Sequence, residues 1–175
     1  MFRKIISGGQ TGADRPGLDF AIEIGLEHGG FVPRGRRAED GRIPGQYHLT
    51  ELSSISYAVR TKRNVREADG TVVFSLDPIL TGGSSLTFEY ATQVKRTRIH
   101  IYKSAFDYSD EAFLKEVWRL KDFIESNQIG VLNVAGPRES SQPGVYAFAL
   151  ETLRQYWKHR QTPCIPSNDF GQCLT

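Results

Sequence analysis

Three short segments carry the residue types from which a chain builds an anion site: Ser7-Gly8-Gly9-Gln10-Thr11-Gly12-Ala13-Asp14, Thr81-Gly82-Gly83-Ser84-Ser85 and Ala135-Gly136-Pro137-Arg138-Glu139-Ser140-Ser141. Glycine lets the backbone take positive φ and come close to a ligand, and a helix that starts just after such a turn offers free N–H groups with a partial positive charge. The candidate phosphate-binding residues are therefore Gly8, Gly9, Gln10, Thr11, Gly12 and Asp14 in the first segment, Gly82, Gly83, Ser84 and Ser85 in the second, and Gly136, Arg138 and Ser140 in the third. A guanidinium fork matches phosphate oxygens better than an ammonium group does. Arg138 sits inside the third segment, and Arg34, Arg36 and Arg37 form a second group. Two plainer readings compete: a tight turn with Asp14 capping a helix for the first segment, and a solvated basic loop for the arginine run.

The elements that would position these segments can be read from periodicity. Residues 3–7 form a short β-branched strand, and residues 15–25 carry Leu18, Ala21, Ile22 and Ile24 near one helical stripe. A second strand is expected near residues 30–32, followed by a polar loop over 33–44 with no periodicity. Residues 57–67 read as a helix, and 71–75 (Thr-Val-Val-Phe-Ser) as a strand apolar enough to be buried on both faces. The pattern recurs as a turn at 82–85, a helix to about residue 95 and a strand at 98–102. Phe113, Val117, Leu120, Phe123 and Ile124 mark a helix over 110–126, with Asp110 and Glu111 in the first turn, where the dipole favours negative charge. A fifth strand at 131–135 and a last amphipathic helix at 145–159 follow, and the tail after Gln161 is unpatterned.

Strands alternating with helices predict one α/β domain over residues 1–175: a three-layer, Rossmann-like parallel sheet of about five strands with helices on both faces. In such a sheet every strand-to-helix turn lies at the carboxyl edge, where open α/β folds hold their ligands. The three glycine segments are thereby predicted to share one edge.

Composition bounds the alternatives. With 22 basic and 20 acidic side chains, the net charge of +2 does not by itself imply a nucleic-acid footprint. The four histidines share no helical spacing, so no metal site is expected, and neither a Gly-x-Ser-x-Gly elbow nor a Gly-x-x-x-x-Gly-Lys-Ser/Thr loop occurs. No apolar run has the length of a membrane span, the first residues lack the apolar core of a signal peptide, and Cys164 and Cys173 lack the spacing of redox or zinc motifs. A cytoplasmic protein is expected. The aromatic side chains on the long helices suit core or subunit-interface packing, which suggests a homodimer or higher homo-oligomer.

The first segment, together with Pro33-Arg34-Gly35-Arg36-Arg37-Ala38-Glu39-Asp40-Gly41, Leu80-Thr81-Gly82-Gly83-Ser84 and Leu132-Asn133-Val134-Ala135-Gly136-Pro137-Arg138, resembles the putative molybdenum carrier family over nearly the whole chain. That family is similar in fold to molybdenum-cofactor carrier proteins and to the lonely-guy cytokinin-activating phosphoribohydrolases. The resemblance implies a Rossmann-like protein that holds a phosphorylated small molecule. The ligand would be a molybdenum cofactor or a nucleotide, with no further cofactor required. It also suggests a second reading, a nucleoside 5′-monophosphate phosphoribohydrolase. Arg60 and Glu89 fall where that group has its helix arginine and the glutamate of its Gly-Gly-x-Gly-Thr-x-x-Glu turn, although Ser85 and Leu86 replace the last glycine and the threonine. A carboxylate beside the ribose would steady oxocarbenium-like charge or position water, and the arginine would orient it or the phosphate. Otherwise Glu89 complements a helix dipole and Arg60 is a surface charge.

Overall fold

The computed structural model describes residues 2–103 and 109–162; the tail and both cysteines lie outside these residues. Five parallel strands form the central sheet: β1 (Lys4–Ser7), β2 (Glu27–Gly29), β7 (Gly70–Ser75), β8 (Thr97–Tyr102) and β9 (Val131–Ala135). Short strands β3 (Phe31–Val32) and β6 (Thr50–Glu51) pair in parallel beside it, and β4 (Arg37–Ala38) and β5 (Gly41–Arg42) form a small antiparallel hairpin. The helices are α1 (Asp14–Glu23), α2 (Tyr57–Glu67), α3 (Gly82–Gln93), α4 (Asp110–Ser126) and α5 (Val145–His159). The helices α2 and α4 begin where a serine hydroxyl takes over an orphan amide: Ser56 Oγ accepts from Val59 N, and Ser109 Oγ from Ala112 N.

The sheet strands run β2-β1-β9-β7-β8. Every residue of β7 is buried, as a strand covered on both faces requires. One face of the sheet carries α1, α4 and α5, whose Phe20, Leu120, Phe148 and Leu153 close the main core over Val72, Phe74 and Leu132. The other carries α2 and α3, joined through Val65, Tyr90 and Ala91. Burying each large apolar side chain of this core contributes on the order of 2 kcal/mol.

Two expectations shift in detail. The second sheet strand is Glu27–Gly29 rather than 30–32, because the chain leaves the sheet at Gly30. There φ is +125°, and a Cβ would stand 2.1 Å from the Ser7 carbonyl oxygen; Phe31 and Val32 pair with β6 instead. Gly82 to Ser85 are the first turn of α3 itself, not a turn ahead of it.

The order has a simple relation to a familiar one. Moving the last strand and its helix to the front of the chain converts β2-β1-β9-β7-β8 into 3-2-1-4-5, the order of a doubly wound dinucleotide-binding sheet. The helices that follow β9 and β7 leave on opposite faces, so the carboxyl edge opens between these two strands, and the three glycine segments lie around that opening.

Candidate functional site

A cavity of about 300 Å³ lies at this edge, at the lower end of the range for small-molecule sites. One wall is the end of β9 with Ala135, Gly136, Pro137 and Arg138. The opposite wall is the start of α3, from Thr81 to Ser84. The first segment contributes Gly8, Gln10 and Asp14, and α2 closes the side with Tyr57, Arg60 and Asn64.

The first segment does not present a row of free amides. Gly9 N donates to Ser7 Oγ (3.5 Å), Gln10 N to Asp14 Oδ2 (3.2 Å), Thr11 N to Gln10 Oε1 (3.0 Å) and Ala13 N to the Pro137 carbonyl (3.1 Å). Gly12 is fixed by close approach: a Cβ there would stand 2.4 Å from the Pro137 oxygen, so the first and third segments touch. Over them lies the loop after β3. The Glu39 carboxylate accepts from the hydroxyls of Thr11 and Ser140 and from Ser140 N, and Glu39 N donates to Gln10 Oε1 (2.9 Å). Burial pushes the Glu39 carboxyl up, but these bonds outweigh it and hold the group below its ordinary range. Asp40 forks with Arg15 at 2.6 and 2.7 Å.

Arg60 is a wall residue of the cavity. Its Nη1 donates to Asp14 Oδ2 at 2.6 Å, with side-chain exposures of 13% and 5%. Burial pushes the Asp14 carboxyl up from the usual aspartate range, and the Arg60 charge and the Gln10 amide pull against it. The Arg60 and Arg138 guanidinium groups both approach the Tyr57 ring, at 5.9 and 5.4 Å from its centroid. Arg138 is exposed at the rim and has no ion-pair partner among the described residues.

At α3 the cap residue Thr81 makes no side-chain cap bond, while the amides of Ser84 and Ser85 both point to the Thr81 carbonyl (3.2 and 3.3 Å). The amides of Gly82 and Gly83 are left among the four that a helix start cannot satisfy internally. Gly82 takes φ +55°, the left-handed region that favours glycine, while a Cβ on Gly83 would meet nothing within 4 Å. Both residues line the cavity.

The structure thus gathers Gly8, Gln10, Asp14, Arg60, Gly82, Gly83, Ser84, Gly136 and Arg138 in one wall system. Gly9 packs toward Leu49 and Ile43, Thr11 and Ser140 are engaged with Glu39, and Gly12 lies between segments. Arg34 is exposed on the covering loop, its amide bonded to the Ser54 carbonyl. Ser85 donates to Glu89, which is exposed and stands outside the cavity wall. Sequence reasoning missed Tyr57, Asn64, Thr87 and Asn133. For Asn133 a signal existed, a lone amide inside the apolar run Val-Leu-Asn-Val-Ala. For Tyr57 there was none beyond its place at the start of a helix. Among the described residues no cluster of three or more His, Cys, Asp or Glu gathers, and no helix is long and apolar enough to cross a membrane.

A family model for circularly permutated YpsA SLOG proteins matches residues 5–157. The chain belongs to the circularly permutated YpsA SLOG family. The strand order agrees with a permuted chain, since the last strand fills the place that the first takes in an ordinary doubly wound order. A solved structure described as a putative molybdenum carrier protein from Syntrophus aciditrophicus is similar to this chain. It is 42% identical, with a TM-score of 0.82 over 89% of this chain and 94% of that one. No curated protein matches.

Proposed function

We propose that the protein is a carrier or binding protein for a phosphorylated heterocyclic small molecule. Its phosphate would lie between the start of α3 and Arg138, and its ring system beside Tyr57. The observation that supports this reading is a cavity lined on one side by the start of α3, whose first amides a helix cannot satisfy internally, with Arg138 at its rim. A helix start with its positive end toward a ligand favours negative charge, and a guanidinium adds charge-assisted bonds to phosphate oxygens.

The name of the similar Syntrophus protein speaks of molybdenum, and the molybdenum cofactor is the form of that cargo with a phosphate and a heterocycle. The donor set suits that cargo only through its phosphate and pterin. The cavity wall offers amides, guanidinium groups and one carboxylate, and it gathers no thiolates or imidazoles that would ligate a metal. Nucleotide hydrolysis would need a carboxylate beside the ribose. The wall's carboxylate, Asp14, is already paired with Arg60, so the binding reading is the better supported one.

Thermal denaturation with AMP, a pterin phosphate, inorganic phosphate and molybdate tests it. A ligand at a hundredfold excess over its Kd stabilises the native state by about 3 kcal/mol, which raises Tm by several degrees. Absence of a shift with all four probes would sink the proposal.

A further inference from the structure

The Glu39 carboxylate marks a place where the protein already holds an oxyanion. Its Oε1 accepts from the Thr11 hydroxyl and from Ser140 N (3.3 Å), and its Oε2 accepts from the Ser140 hydroxyl. Donors from two of the glycine segments thus converge on one anionic group. Arg138, close by in the same turn as Ser140, adds its positive charge. Thr11 is half-buried, whereas Glu39, Arg138 and Ser140 are exposed, so this corner is open to solvent. It also adjoins the cavity: Gln10 and Arg138 belong to the cavity wall, and Gln10 Oε1 accepts the Glu39 main-chain amide at 2.9 Å. The covering loop has other anchors. Arg36 braces it internally through four carbonyl groups, and the Arg15–Asp40 fork ties it to α1. Contacts of an exposed carboxylate contribute little to stability, because water and salt compete for both partners. Another group of the same charge can therefore take the place of Glu39 at small cost.

We propose that Thr11 and Ser140 form a second oxyanion subsite beside Arg138, with the Glu39 carboxylate as its built-in occupant, and that a phosphate group of the ligand displaces it. This rests on the binding role proposed above and narrows the ligand class to molecules with two anionic groups, one at the start of α3 and one here. A terminal phosphate brings three strong acceptor oxygens to donors that the two oxygens of a carboxylate otherwise serve.

Glu39→Ala removes the internal competitor, and Glu39→Gln leaves a neutral acceptor for the same donors. AMP, with one phosphate, and ADP and inorganic pyrophosphate, with two, are titrated calorimetrically against the full chain, with urea midpoints as the fold control. Glu39→Ala is expected to bind ADP and pyrophosphate about tenfold more tightly than the wild type, the scale of one hydrogen bond to a charged group, with Glu39→Gln in between and AMP nearly unchanged. Adding Thr11→Val and Ser140→Ala to Glu39→Ala should abolish that gain. AMP binding without any gain for ADP or pyrophosphate in either Glu39 variant overturns the subsite and leaves the carrier reading standing. So does a gain that survives the loss of both hydroxyls, since it then reflects net charge or loop opening alone. A wild type and variants that bind none of the three probes overturn both readings.

Discussion

The guanidinium of Arg60 occupies the space that a side chain on Gly8 would need: a Cβ built on Gly8 would stand 1.3 Å from Nη1 and 2.3 Å from Cζ. The glycine at the end of β1 thus makes room for a side chain from α2, and through it for the ion pair with Asp14.

Gly8→Ala is therefore expected to act through Arg60. The methyl group drives the guanidinium off Asp14, leaving a buried carboxylate without its partner, at a cost of about 3 kcal/mol. In an Arg60→Ala background the same alanine should cost much less, because the clash is gone. A double-mutant cycle by urea unfolding measures the coupling, and additivity of the two changes would contradict the contact.

His100 supplies a pH dependence. Burial, helped by the charge of Arg119, lowers its pKa from 6.5 to about 4. The folded state thus keeps the ring neutral where the unfolded chain would protonate it. Stability is accordingly present in full above about pH 6.5 and is lost as the pH falls toward about 4. Replacing His100 by Gln should flatten this part of the stability profile, and an unchanged slope in urea midpoints between these pH values would refute the assignment.

Arg36 binds the loop that covers the first glycine segment. Its Nε donates to the Ile43 carbonyl (3.2 Å), Nη1 to that of Leu49 (3.1 Å) and Nη2 to those of Pro44 (2.8 Å) and Tyr47 (3.0 Å). A lysine cannot reproduce this fork, so Arg36→Lys should destabilise by about 2 kcal/mol and raise the loop's proteolytic susceptibility before global unfolding. Limited proteolysis that cuts the variant no faster than the wild type would count against it.

The strand order makes a topological prediction. The Phe2 and Tyr156 rings meet edge to face at 5.8 Å, so the start of β1 lies beside the last turns of α5. A chain joined from Thr175 to Met1 and reopened between Asn127 and Gln128, in the link before β9, should fold to the same circular dichroism spectrum with Tm within about 5 °C, since permutation succeeds at surface links. Loss of the cooperative transition would show that the present connectivity is needed.

Much of this architecture was legible because it is local. The helices at 57–67, 110–126 and 145–159 and the strand at 131–135 have the bounds that apolar spacing implies, since the residues that set the period are those the core buries. The strand beside β1 was misplaced because it is three residues long and mostly polar, and its end is set by a contact between Gly30 and Ser7 that no local pattern encodes. The shared edge of the three glycine segments followed from the parallel sheet, yet their division of labour did not. Whether the Gln10 side chain or a main-chain amide faces the cavity depends on Glu39 and Asp14, which come to it from other parts of the chain or from the next turn.

The central strand β9 is made after all the others. The β1–β2 pair and the β7–β8 pair share no ladder, and only β9 hydrogen-bonds to both. A ribosome releasing this chain therefore emits two separate half-sheets with exposed inner edges, and a nascent protein truncated before residue 131 has no continuous floor beneath Gly8 and Gly82. Closure of this edge is in this way tied to completed synthesis, and unjoined halves with open strand edges are the species most exposed to aggregation and to chaperone binding.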